Sequence, residues 1–83
     1  MDVLLTYKNR KYIIETKINR RDLTRTINDG IKQIARKYLI PETADEGYLI
    51  VFDVKTPCGS ECEPGYHNIG DKKITSFTIA IGK

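Results

Sequence analysis

The chain has 83 residues, of which 14 are Lys or Arg and 11 are Asp or Glu, so its formal net charge is +3. This length predicts one domain with a modest core, and the mildly basic balance permits a polyanionic partner without requiring one. No apolar run reaches the roughly 18 residues of a membrane span and no secretion signal is recognisable, so we expect a cytoplasmic protein without membrane contact.

The first two predicted elements are strands at residues 2–7 (DVLLTY) and 11–18 (KYIIETKI). Only the polar residues KNR separate them, which predicts a hairpin. Because strand residues two apart share a face, the charged side chains of the second strand point the same way.

The register of this hairpin is predicted by matching its faces. Pairing Tyr7 with Tyr12 gathers the apolar residues of both strands in one layer. The same register places Asp2, Glu15 and Lys17 together on the other face, with Asp2 opposite Lys17. A shift of one residue would mix the apolar and charged faces, so the pattern favours the register that brings the charges together.

An amphipathic helix is predicted from about Asp22 to Leu39, and Pro41 ends it. Its apolar stripe consists of Leu23, Ile27, Ile31, Ile34, Ala35 and Tyr38. Residues 47–54 (GYLIVFDV) are apolar almost throughout, which is typical of an interior strand covered on both faces. Residues 73–81 (KITSFTIAI) form a half-polar last strand, expected at a sheet edge.

The order strand, strand, helix, strand, strand predicts an α/β (α+β) fold with a mixed sheet. The helix is expected to be a right-handed crossover between the second and third strands. Cys58 and Cys62 lie in the loop PCGSECEPGYHNIGD. With His67 they would give three ligands of the four that a structural zinc site needs, so we expect reduced loop thiols.

Two carboxylates and a lysine at one end of a hairpin are a chemically specific set. Two oxygen ligands can hold Mg²⁺, and a metal there can polarise a phosphodiester and lower the pKa of its water. Lys17 beside that water would orient it or neutralise charge on the phosphate. The alternative from spacing alone is a cross-strand ion pair of less than about 1 kcal/mol.

The ordered combination of these residues resembles the PD-(D/E)XK nuclease superfamily. It comprises an Asp at a strand start, a hairpin, Glu-Thr-Lys preceded by Ile-Ile, and then a helix. More closely, DVLLTYKNRKYIIETKI, a helix with GIKQIARKY and a strand with EGYLIVFD are similar to the nuclease-like domain at the C-terminus of certain prokaryotic AAA-type ATPases. The similarity covers residues 2–54 well and the remainder loosely.

The resemblance implies a restriction-endonuclease-like mixed sheet and phosphodiester cleavage dependent on Mg²⁺ or Mn²⁺. It makes Asp2 and Glu15 metal ligands, with the backbone carbonyl of Thr16 as a candidate third, and Lys17 the catalytic lysine. We expect weak metal binding, on the order of millimolar.

The resemblance also implies roles for residues of the helix and of the segment just before it. In one branch of the superfamily a Gln and a Tyr four residues later also reach the site. Gln33 matches the Gln, but Lys37 stands at the Tyr position and Tyr38 follows one residue on, where it is expected in the apolar core. Phosphate contacts are expected from Arg20, Arg21 and Arg25.

The resemblance also implies a first core helix that is missing from residues 1–83. We therefore expect one nuclease-like domain of a larger ATPase-containing protein, incomplete or inactive in isolation. Its expected partners are nucleic acid, DNA first, and the upstream ATPase module. Two alternatives remain: a nucleic-acid-binding or regulatory module without catalysis, and an assembly module of the ATPase.

Overall fold

A hairpin of β1 (Asp2–Tyr7) and β2 (Arg10–Asn19) opens the fold in the computed structural model, which describes residues 2–83. Its turn consists of Lys8 and Asn9, whose φ angles are 50° and 64°. Positive φ at both central residues is the requirement of a two-residue type I′ turn, which matches the twist of the flanking strands.

The observed hairpin register differs from the predicted one by two residues. Tyr7 pairs with Arg10 and Asp2 pairs with Glu15, so the predicted pairing of Asp2 with Lys17 is wrong. The turn lies at Lys8 and Asn9, one residue earlier in the chain than the matching of faces predicted. Because a shift of two leaves every side chain on its own face, the predicted division into an apolar and a charged face holds.

The connection from β2 to β3 (Glu46–Pro57) is helical. Helix α1 (Leu23–Ile34) begins after Asp22, whose side chain accepts a hydrogen bond from the Arg25 backbone N–H at 3.2 Å. It continues directly into a π-helical turn (Ala35–Leu39). Since β3 runs parallel to β2, the predicted helical crossover is confirmed.

Two further strands, β4 (Gly65–Ile69) and β5 (Lys72–Gly82), complete a five-stranded mixed sheet in the order β1-β2-β3-β5-β4. The sequence prediction is wrong at both. It placed β4 in a loop, because five residues of weak alternation inside a polar stretch resemble a loop. It expected the last strand at an edge, whereas β5 lies between β3 and β4, parallel to β3 and antiparallel to β4.

The core lies between α1 and one face of the sheet, so the domain is a mixed α+β structure. The buried cluster consists of Ile13, Ile31, Ile34, Leu39, Ala44, Leu49, Val51 and Ile74, with Leu23, Ile27, Tyr38 and Ile69 packed against it. The predicted apolar stripe of the helix is therefore confirmed. At Gly30 a Cβ would lie 2.6 Å from Leu49 Cδ1, so glycine allows the helix to approach β3 closely.

The other side of the sheet is uncovered by any described element, and we call it the open face. Its apolar members are Val3, Leu5, Tyr7, Tyr12, Ile14, Ile18, Tyr48, Ile50, Phe52, Phe77, Ile79 and Ile81. Burial alternates strictly along the first eight residues of β3. The prediction that this strand is covered on both faces is therefore wrong, since its even-numbered side chains lie on the open face.

Candidate metal and nucleic-acid site

A pair of carboxylates lies on the helix-bearing face of the hairpin. Asp2 on β1 stands directly opposite Glu15 on β2, and paired strand residues share a face. Glu15 is 2 % exposed and Asp2 is half-buried. Lys17, two residues along β2 from Glu15, is on the same face and half-buried. The predicted convergence of these three residues is therefore observed, with Glu15 in place of Lys17 opposite Asp2.

The two carboxyl groups titrate in opposite directions. Burial raises the pKa of Glu15, and a hydrogen bond to Asp2 and the negative charge of Asp2 raise it further. The pKa of Asp2 is lowered, first by the hydrogen bond from Tyr38, then by the one from Glu15, with the charge of Lys37 contributing. At a pH between the two pKa values, Asp2 is therefore ionised while Glu15 keeps its proton and can donate it to the Asp2 carboxylate.

Tyr38 reaches this pair from the π-helical turn. Its hydroxyl donates a hydrogen bond to Asp2 Oδ2, and this bond is also the first reason why the pKa of Tyr38 is raised. Its ring packs against the core cluster, as predicted. The contact with Asp2 is not predicted from the sequence, because Tyr38 stands five residues after Gln33 rather than four.

The π-helical turn explains this interval. The Ile40 backbone N–H donates to the Ala35 carbonyl at 2.9 Å, a hydrogen bond that spans five residues where an α-helix spans four. One more residue is therefore accommodated in the turn, and Tyr38 takes the place that residue 37 would occupy in a regular helix. A Gln followed by a Tyr at an interval of five is the sequence signal that would have predicted it.

Gln33 and Lys37 line a shallow groove of about 330 Å³ along the helix, together with Asp29, Lys32 and Arg36. The charge of Lys37, at one side of this groove, contributes to the lowered pKa of Asp2. Gln33 is half-buried there, and its implied catalytic role stays a prediction. The side chain of Thr16 is on the open face, next to Ile14 and Ile18 in alternation, so its backbone alone remains as a candidate ligand.

Three arginines surround a second groove at the start of the helix. Arg20, Arg21 and Arg25 are all exposed and line a groove of about 580 Å³ that shares Asp29 with the first one. At a strand rise of about 3.3 Å per residue, Arg20 lies about 16 Å from Glu15 along β2. Ile18 of the open face also lines this groove, so the arginines lie at the end of the sheet where β2 leads into α1, apart from the carboxylates.

Asp53, the two cysteines and His67 are not part of the carboxylate pair. The buried carboxylate of Asp53 accepts hydrogen bonds from Asn19 Nδ2 at 2.9 Å and from Thr56 Oγ1 at 2.5 Å. Cys58 and Cys62 are free thiols. His67 Nε2 lies 3.3 Å from Ser76 Oγ. Within residues 2–83, no three side chains of His, Cys, Asp or Glu gather at one point.

No family model, curated protein or solved structure matches the chain. In the part of the chain that the structure describes, no helix has the length and apolarity needed to cross a membrane.

Proposed function

We propose that this domain is a restriction-endonuclease-like, PD-(D/E)XK-type module that holds Mg²⁺ or Mn²⁺ weakly and cleaves nucleic acid by phosphodiester hydrolysis. The observation that carries the proposal is that Asp2 and Glu15 stand directly opposite each other, with Lys17 on the same face. The positions of Gln33 and Tyr38 support the proposal. In the superfamily pattern the Tyr follows the Gln by four residues, and here the π-helical turn accommodates one additional residue between them.

The donor set fits a hard divalent cation. Two carboxylates that share one proton carry one negative charge between them, and a divalent cation can displace that proton and bind oxygens of both. When bound, the metal polarises a phosphodiester and lowers the pKa of a coordinated water. With only two carboxylates in the set, we expect affinity on the order of millimolar.

The protein's own residues divide the remaining work. Lys17 supplies a positive charge beside Glu15, where it can hold a water molecule or neutralise charge that develops on a phosphate. Tyr38 is a positioning residue, since its hydroxyl fixes Asp2 rather than a substrate atom. Arg20, Arg21 and Arg25 provide phosphate contacts that hold the strand in place.

A second candidate function is an assembly module of an ATPase-containing protein. The open face favours it, because apolar side chains such as Val3, Ile18 and Phe77 are about half exposed there. In this function the carboxylate pair would be a structural, proton-sharing contact, and metal would leave it unchanged. The upstream ATPase is a proposed partner in both candidates.

Titration with Mn²⁺, followed by nuclear magnetic resonance, tests the metal site. We expect the backbone signals of Asp2, Glu15, Thr16 and Lys17 to broaden before those of the acidic loop. In Glu15→Gln this effect should disappear while the fold remains intact, because the variant cannot supply a second carboxylate.

The matched control is Glu63→Gln, which removes one exposed loop carboxylate and should leave the hairpin broadening unchanged. Broadening that centres on the loop and spares the hairpin would reject the metal site. Adding a short DNA duplex then separates the two candidates, since a nucleic-acid module shifts signals of Arg21 and Arg25 and an assembly module does not.

A further inference from the structure

We propose that two copies of this chain associate through their open faces to form a symmetric dimer. In such a dimer the two sheets pack face to face, as in a β-sandwich, with the helices on the outside. The inference is independent of the nuclease proposal, because the carboxylate pair is on the opposite side of the sheet.

The composition of the open face fits burial against a second sheet. Charged strand residues occur on it only near the ends where β2, β3 and β5 begin, at Arg10, Glu46 and Lys73. Its middle consists of aliphatic and aromatic side chains with a few hydroxyl groups. A surface with an apolar centre and a polar rim is the pattern of a protein interface.

A row of aromatic rings crosses three neighbouring strands diagonally on the open face, each ring two residues further along the sheet than the one before it. The ring centres of Tyr12 and Tyr48 are 6.2 Å apart, and those of Tyr48 and Phe77 are 6.4 Å apart. Large rings supply most of the area and energy in the centre of an interface. A two-fold axis parallel to the interface brings each row onto the apolar centre of the other copy.

The exposed area of the chain agrees with a missing partner. A compact monomer of 9.5 kDa exposes about 5,050 Å², whereas this chain exposes 5804 Å². The excess is about 750 Å², close to the roughly 800 Å² that each partner contributes to a stable interface of standard size. A second sheet packed on the open face would remove an area of this size from solvent.

The charges of the chain favour a second copy over a lipid surface. A patch that binds anionic lipid is surrounded by Lys and Arg. The rim of the open face instead carries both signs, with Arg10 and Glu46 4.0 Å apart. Several of the basic residues are on the helical segment, at Arg25, Lys32, Arg36 and Lys37.

Sedimentation of the intact chain over a range of micromolar concentrations tests the dimer. We expect a species of twice the 9.5 kDa chain mass, which Phe77→Glu should weaken by at least about tenfold in dissociation constant, because it places a charge in the apolar centre. Ile79→Lys, with the opposite charge, should act in the same way. Phe77 and Ile79 are 43 % and 44 % exposed, so both variants should fold.

The control is Ile40→Glu, which introduces the same charge at a 69 % exposed position after the helix and should leave the dimer intact. A monomeric wild type would overturn the proposal, as would a dimer that persists in both open-face variants. A monomer whose open-face signals shift on vesicles of phosphatidylcholine and phosphatidylserine would assign the face to lipid instead and equally overturn it.

Discussion

Glu15 is a buried carboxyl group beside a second carboxylate, and this makes stability depend on pH. Its pKa is raised by burial and by Asp2, so the folded chain binds this proton more tightly than the unfolded chain. The stabilisation is complete below the unfolded pKa of about 4.3 and is lost as pH rises through the raised pKa of the folded state. Asp2, with its pKa lowered, behaves in the opposite way and loses its contribution as pH falls through its folded value.

Glu15→Gln should remove the loss of stability at higher pH. The amide keeps an N–H donor for Asp2 and cannot ionise. From about pH 4.5 to 8 the free energy of unfolding of the wild type should therefore fall relative to the variant, by about 1.4 kcal/mol for each unit by which the Glu15 pKa is raised.

Urea unfolding at a series of pH values measures this difference. Glu61→Gln, in the exposed loop, is the control and should follow the wild type at every pH. Parallel curves for the wild type and Glu15→Gln would show that Glu15 is ionised throughout and would contradict the shared proton.

The sequence predicts that Asp2 and Glu15 lie together on one face, but it does not predict the hydrogen bond between Tyr38 and Asp2. Alternation along a strand has a fixed period of two, so the face of each residue follows from its number. The position of Tyr38 depends on where the helix widens, and that depends on tertiary packing, which residue spacing in a regular helix does not include.

The helix that carries Tyr38 accommodates one additional residue in its last turn. A single insertion in a regular α-helix rotates everything beyond it by about 100°. Here the π-helical turn absorbs it, because Ile40 bonds to Ala35 and Leu39 remains buried in the core.

Deletion of Arg36 should therefore be tolerated. The last turn would close as an ordinary α-helical turn, with Tyr38 still directed towards Asp2. We expect the free energy of unfolding to change by no more than about 1 kcal/mol, since an exposed residue is lost and the core contacts remain. The pKa of Asp2, followed by nuclear magnetic resonance, should stay below its usual range.

Deletion of Asn28, also exposed, is the matched control in the regular part of α1. It rotates Leu23 and Ile27 away from the rest of the apolar stripe and should cost more than about 3 kcal/mol or prevent folding. If deletion of Arg36 proves as costly as deletion of Asn28, the π-helical turn is not an absorbed insertion.

The elements themselves show which sequence signals suffice. Alternation predicts the hairpin and the helical stripe, but a register shifted by two has the same alternation, so only the conformation of the Lys8–Asn9 turn distinguishes the two registers. The strand β4 is held by its pairing with β5. Since that pairing depends on contacts between segments, a local pattern of five residues does not predict it.

At the scale of the whole molecule, the positive charge is distributed unevenly. Two grooves along the helix carry Arg20, Arg21, Arg25, Lys32, Arg36 and Lys37. The distance of about 16 Å from Arg20 to Glu15 corresponds to about five nucleotides of one duplex strand. If the arginines hold a nucleic-acid strand as proposed, about five nucleotides of it span the distance to the carboxylate pair.

Binding to a short DNA duplex should weaken with salt through these side chains. If Arg25 neutralises one phosphate, Arg25→Gln should reduce the slope of log affinity against log salt concentration by about 0.9. Fluorescence anisotropy with a labelled duplex gives both slopes. Lys73→Gln removes one positive charge from the open face and should leave the slope unchanged; three equal slopes would place the nucleic acid elsewhere.

The division of the sheet into two unlike faces also bears on how this protein can vary. Neighbouring residues in a strand belong to different faces, so a substitution at Ile14 alters the open face while Ile13 and Glu15 continue to serve the core and the carboxylate pair. Selection for a new binding partner can therefore act on every second residue of β2 and leave the chemistry of the remaining residues intact. The two faces of the sheet can in this sense change independently of each other.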